Sequence, residues 1–193
     1  MKFKSPLKFF RAEQGVAAIE TALILPFLLL LYFGMIDLTA LISHNRKITY
    51  AASVVADLVA QNRTSIVATS INDYYRAADM IMEPTPNDRT RVNVFGYRNV
   101  AGTVTQIWKG SNGKGPTCGT IPTTAQMTPL MSAGNDVVVA VACLEYTPYI
   151  ATFLGVDILG ATSFDVEQSV MVRPRSTTML TCYQTVVNGA VCS

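Results

Sequence analysis

Histidine and tryptophan each occur once in the 193 residues, and only 15% of the chain is charged. With one imidazole available, at His44, the Ser/His/Asp and Cys/His schemes of nucleophilic catalysis have a single possible base. That residue falls just past a long apolar run, where it reads as an interfacial polar side chain. No Cys-x-x-Cys element occurs, which argues against zinc. Asp157, Asp165 and Glu167 are too loosely spaced for a cation loop. The loop sequence GSNGKG lacks the Gly-x-x-x-x-Gly-Lys-Ser/Thr register of a phosphate-binding loop, and no strand–helix frame surrounds it. We therefore expect no catalytic residue, no metal and no cofactor, and read the chain as something other than an enzyme.

Cysteine is missing from the first part of the chain, and the four that occur lie at 118, 143, 182 and 192. Such placement points to two disulfides formed in an oxidising compartment. Four cysteines allow three connectivities. Cys118–Cys143 with Cys182–Cys192 is favoured because each bridge closes a local loop, and the crossed pairings stay open. Asn188-Gly189 asks for a type I′ hairpin. That turn would leave Cys182 three residues out of register with Cys192, so their bridge would need a bulge. Charge of one sign is also scarce beyond the apolar run. Four of the 15 Lys+Arg residues (Lys2, Lys4, Lys8, Arg11) precede it, which leaves eleven after it against ten of the 13 Asp+Glu. Without a basic patch, nucleic acid is excluded as a partner.

What the chain does have is hydrophobicity, with half of its residues apolar and a mean hydropathy of +0.31. Much of the excess lies in GVAAIETALILPFLLLLYFGM. Residues 16–37 form a predicted transmembrane helix, since about 21 residues at about 1.5 Å each match a bilayer core of about 30 Å. The run is too long for the h-region of a cleaved secretory signal. Its basic flank places the N-terminus in the cytoplasm and the bulk of the chain outside. Within the run stands Glu20. A carboxylate there costs roughly 2.5–3.5 kcal/mol at the membrane centre and less near an end. It either snorkels to the headgroups or meets a partner charge.

The pattern RAEQG followed by VAAIE resembles the processing site of type IV prepilins. More closely, GVAAIETALILPFLLLLYFGMIDL resembles the N-terminal domain of the TadE family, minor pilin-like proteins of the tight-adherence (Tad, Flp) pilus. The strand sequences VVVAVACLEYTPYI and SFDVEQSVMVRPR resemble that family more weakly. The resemblance implies cleavage by a prepilin peptidase between Gly15 and Val16, which leaves Glu20 as the fifth residue of the mature chain. It further implies that Glu20 pairs with the new Val16 amine of a neighbouring subunit, neutralising both as they leave water. Other Tad pilins and assembly proteins are the implied partners, together with the lipid bilayer of the bacterial inner membrane, and adhesion is the implied role. Thr21 follows Glu20 where major Flp pilins carry tyrosine, and the chain is too long for a major subunit. An unprocessed single-span envelope protein with an external binding domain is the alternative.

Beyond the membrane, Leu41, Ile48 and Val55 repeat by seven, and Ala51, Ala52, Leu58 and Val59 fill the same face. Polar residues 61–64 end that helix, and a second runs from Ile71 to Met82, capped by Ser70 with Asp73 three later and stopped by Pro84 and Pro86. TRVNVFGYRN and TVTQIW predict strands around a turn at Val100-Ala101-Gly102. DVVVAVACLEY and SFDVEQSVMV predict paired strands, each with faces partly buried and partly wet. TPYIATFLGVDILGAT between them, with Phe153 and Leu154, is a short helix or loop that packs on the sheet edge or, if exposed, makes a partner surface or membrane-facing lip. The expected fold is α+β and pilin-like: a leader over 1–15, a transmembrane helix over 16–37, an amphipathic helical region over 38–83, and a disulfide-containing β-rich head over 84–193.

Overall fold

A computed structural model describes residues 13–62, 65–66, 68–118, 122–131, 136–155, 163–175, 181–182 and 191–192. Helix α1 runs unbroken from Glu13 to Ala60, 48 residues with Pro26 inside. Every residue from 16 to 32 is exposed on it, whereas Ile48, Ala51, Ala52, Val55, Ala56 and Val59 are buried. One helix thus serves two surroundings, and the change falls where the apolar run gives way to the three-and-four spacing. Alanines at 51, 52 and 56 let its backbone approach the sheet closely. Its C-terminus is closed by Asn62, whose side-chain amide donates to the carbonyls of Leu58 (3.0 Å) and Val59 (3.1 Å). The Arg175 amide donates to the Ala60 carbonyl at 3.0 Å. Carbonyls that a helix end would leave without partners are thereby satisfied.

Helix α2, Ala68–Met82, begins three residues before the expected start, so Ser70 lies within its first turn and does not cap it. A Ser-x-x-Asp spacing is only a local signal, and packing overrides it. Ile71, Tyr75, Ala78 and Met82 make the buried stripe that seats α2 beside α1.

The sheet has the order β5-β4-β2-β3-β7 and is antiparallel throughout, with β2 Thr90–Val100, β3 Thr103–Ser111, β4 Asp136–Tyr146, β5 Phe164–Val172 and β7 Val191–Cys192. A separate two-residue parallel pair joins β1 Ser65–Ile66 to β6 Thr181–Cys182. The expected turn at 100–102 is narrower, since Val100 still pairs with Thr103; Ala101 and Gly102 both take positive φ (51° and 89°), as a two-residue hairpin turn requires. β4 and β5 pair over nine positions, from Val138↔Val172 to Tyr146↔Phe164. The expectation of a half-wet β4 is corrected: Val137 to Leu144 are all buried. Val138, Ala140, Ala142 and Leu144 face α1 and α2, while Val137, Val139, Val141 and Cys143 meet Phe95, Tyr97, Met127 and Met131. A valine run in a central strand covered on both sides reads continuously apolar. β5, at the edge, keeps the half-exposed character expected of it.

The second cover is the segment after β3, which contains the short helix α3, Thr124–Met127. It is fastened to the sheet by the Cys118–Cys143 disulfide, as favoured from spacing. The glycine-rich stretch 110–115 is bound to the strand beside it through side-chain and backbone hydrogen bonds. Asn112 Oδ1 accepts from the Val92 and Lys114 amides, and Arg91 donates to the carbonyls of Lys114 and Gly115. Gly115 has φ +64°, and a Cβ there would lie 2.6 Å from the Thr90 backbone. Cys182 and Cys192 fall on strands of different sheets, but their side chains and the Asn188–Gly189 turn lie outside the described residues.

The Cys118–Cys143 bridge closes a loop with a sequence separation of 25. Replacing both cysteines by alanine is expected to lower the head's unfolding free energy by roughly 3–4 kcal/mol, read from denaturant midpoints. An unchanged midpoint would mean that the cover holds without its fastening.

Candidate assembly site on the projecting helix

The residues singled out for assembly sit on the exposed half of α1. Gly15 lies in its first turn, and Val16 and Glu20 stand one turn apart on one face, since residues four apart align on a helix. Val16 is 59% exposed, and Ile19, Leu23 and Ile24 surround Glu20 with open apolar surface. Among the described residues, Glu20 has no hydrogen-bond or ion-pair partner. Thr21 does not supply one, because its hydroxyl donates to the Ala17 carbonyl at 2.8 Å. A carboxylate on an apolar, unpacked surface is what a membrane or a second molecule would have to complete. From Val16 onward this is one helix long and apolar enough to cross a membrane.

Where the helix meets the head, Asp37 makes the decisive contacts, and sequence reading missed them. Its Oδ1 accepts from the Tyr149 amide at 2.7 Å and its Oδ2 from the Ile150 amide at 2.9 Å. The Tyr146 hydroxyl donates to Asp37 as well, at 3.2 Å. Tyr149 and Ile150 open helix α4, Tyr149–Leu154, which follows Pro148 and has neither an acid in its first turn nor a cap of its own. The Asp37 carboxylate therefore caps α4 from another element, where free N–H groups and the helix dipole favour an anion. An uncapped TPY helix start was the one local signal of a missing partner. Nothing nearby could identify Asp37, which is 112 residues away.

Burial, the Asp37 charge and its hydrogen bond raise the Tyr146 phenol well above its usual range. His44 packs its ring 5.6 Å from that of Tyr146, and its buried Nδ1 has no partner among the described residues. Burial first, then the Lys47 charge, lower the His44 pKa from 6.5. Lys47 itself donates to the Glu83 carbonyl at 2.7 Å and joins α1 to the end of α2. His44, Thr85, Arg89 and Tyr149 border an open cleft of about 240 Å³ at this end of the head. A second cleft of about 420 Å³ lies between α2 and the loop at Asn112–Lys114, bridged by an ion pair of Lys114 with Asp79 at 3.2 Å. Of the three acids weighed for a cation, Asp157 lies outside the described residues, and Asp165 and Glu167 fall two residues apart on β5.

Removing the cap is expected to loosen this junction. Asp37→Ala should cost about 1–2 kcal/mol and speed amide exchange at Tyr149 and Ile150, with Asp37→Asn intermediate; unchanged exchange would sink the assignment. For His44 the folded state favours the neutral ring. Its contribution is therefore present above pH 6.5 and lost as pH falls through its lower folded-state value. Melting temperature should fall on acidification below about pH 6.5, and His44→Gln should flatten that slope.

The family model described as TadE-like protein matches residues 15–57. No curated protein and no solved structure matches the chain. The match starts at Gly15 and runs through the exposed half of α1, past Asp37 and His44, into the first turns that pack on the head. The N-terminal segment of this chain, residues 15–57, is TadE-like.

Proposed function

We propose that this protein is a minor pilin or pseudopilin of a Tad pilus. A prepilin peptidase cuts it after Gly15, and it is anchored in the bacterial inner membrane with residues 1–15 cytoplasmic and the head outside. The observation that carries this reading is the exposed half of α1. From Val16 onward it is a bare apolar stretch of helix that presents one acid, Glu20, without a partner among the described residues. Cleavage creates an amine on Val16. In a bundle of such helices, the Glu20 of one subunit meets the Val16 amine of the next, and the two charges neutralise one another where neither is tolerable alone. The TadE-like segment over residues 15–57 supports association with other Tad pilins and assembly proteins, and through them a role in surface adhesion.

Intact mass of the protein from pilus-producing cells is expected to correspond to a chain starting at Val16. Retention of residues 1–15 would count against processing and point to the unprocessed, single-span envelope protein. Glu20→Gln is expected to leave membrane insertion intact and to abolish or sharply reduce piliation. Normal piliation would remove Glu20 from assembly.

A further inference from the structure

The contacts between α1 and β5 fix how the head stands on its helix. Gln168 Nε2 donates to Asn45 Oδ1 at 2.9 Å, and the Arg175 amide donates to the Ala60 carbonyl at 3.0 Å. From Asn45 to Ala60 the helix rises about 22 Å, and from Gln168 to Arg175 an extended chain covers about 23 Å. In the other direction, Asn45 to Asp37 descends about 12 Å and Gln168 to Phe164 about 13 Å. Phe164 pairs in register with Tyr146, and their rings lie 5.4 Å apart. Tyr146 in turn donates its hydroxyl to Asp37. β5 therefore runs alongside α1 in step with it. The head's lower edge is the start of β5, the end of β4 and the first turn of α4, and it lies level with Asp37. At Asp37 the apolar run ends.

That edge carries two large rings with little cover. Tyr149 is 56% exposed and Phe164 44%. Tyr149 is held in place by the α4 backbone amides on Asp37, and Phe164 by the pairing of β5 with Tyr146. Aromatic side chains at such a level sit well at the boundary between headgroups and acyl chains, where a ring is partly wet. The charges nearby do not favour an anionic surface: Glu145 and Asp165 adjoin the two rings, against Arg89 across the cleft.

We infer that Tyr149 and Phe164 seat the head, already held upright by its contacts with α1, on the outer boundary of the same phospholipid bilayer that α1 spans. The inference rests on the membrane-spanning reading of residues 16–37. The seat works through rings rather than charge, so it holds on a zwitterionic bilayer and at high salt.

The test uses the full chain, one copy per nanodisc of phosphatidylcholine whose acyl chains carry bromine near the headgroup or deep in the core. Four single variants report by fluorescence: Tyr149→Trp, Phe164→Trp, Phe27→Trp and, at the opposite end of the sheet, Val100→Trp. The native Trp108 is buried and supplies a constant background measured in the unsubstituted chain. Tryptophan at 149 and at 164 should be quenched severalfold more by shallow bromine than tryptophan at 100, with no change on adding salt or anionic lipid. Tryptophan at 27 should respond to deep bromine. Quenching at 27 without quenching at 149 and 164 overturns this inference and leaves the spanning helix standing. Absence of quenching at 27 overturns both. Because only exposed side chains are replaced, and Phe164→Trp leaves α4 untouched, misfolding of one variant leaves the other decisive.

Discussion

The carboxylate of Asp37 ties the head to the long helix at the level where its apolar run ends. Below it, α1 is a bare apolar rod; above it, the same helix is one wall of a core. Accepting from Tyr149, Ile150 and Tyr146 at once, Asp37 gives α4 the anion its N-terminus lacks and ties the end of β4 to the level where the apolar run stops. The rest of the register follows from there, through Gln168 on Asn45 and Arg175 on Ala60. A helix and a neighbouring strand have different rises per residue, so three ties at matching heights make the junction stiff where a single tie would leave a swivel.

The core explains why so oily a chain forms a defined head. β4 is buried on both faces, against the alanine-rich stripe of α1 on one side and the disulfide-fastened cover on the other. Gly96 makes room within this arrangement, since a Cβ at that position would fall 2.2 Å from the Trp108 indole. At the far end of the sheet, Arg98 and Asp136 form a two-pronged ion pair with contacts of 2.6 and 2.5 Å. Two parallel charge-assisted hydrogen bonds fix orientation as well as proximity, so β2 and β4 are held in register at the end opposite Asp37.

Much of this architecture was legible in the sequence because its signals are local and periodic. The apolar run and the heptad of Leu41, Ile48 and Val55 gave the long helix, and alternating or valine-rich runs with a turn at 100–102 gave four of the strands. The Gly15–Val16–Glu20 pattern stands out by its resemblance to a prepilin processing site; its spacing alone says only that Val16 and Glu20 share one face of a helix. The start of α2 was misread because Ser70 and Asp73 imitate a cap. The burial of β4 was misjudged because the cover that dries its second face comes from a loop with no periodicity. Asp37 was beyond reach for a different reason. Its partners are main-chain amides, which leave no mark in a sequence, and they lie more than a hundred residues away.

The buried stripe of α1 also sets an order of events during synthesis. Ile48, Ala51, Val55 and Val59 are made early, yet the strand residues that cover them, Val138, Ala140 and Ala142, come some 80 or more positions later. Contacts so distant in sequence form slowly. The nascent chain therefore carries this apolar stripe without its β4 cover until β4 has emerged, and the wall that faces the sheet is completed only then.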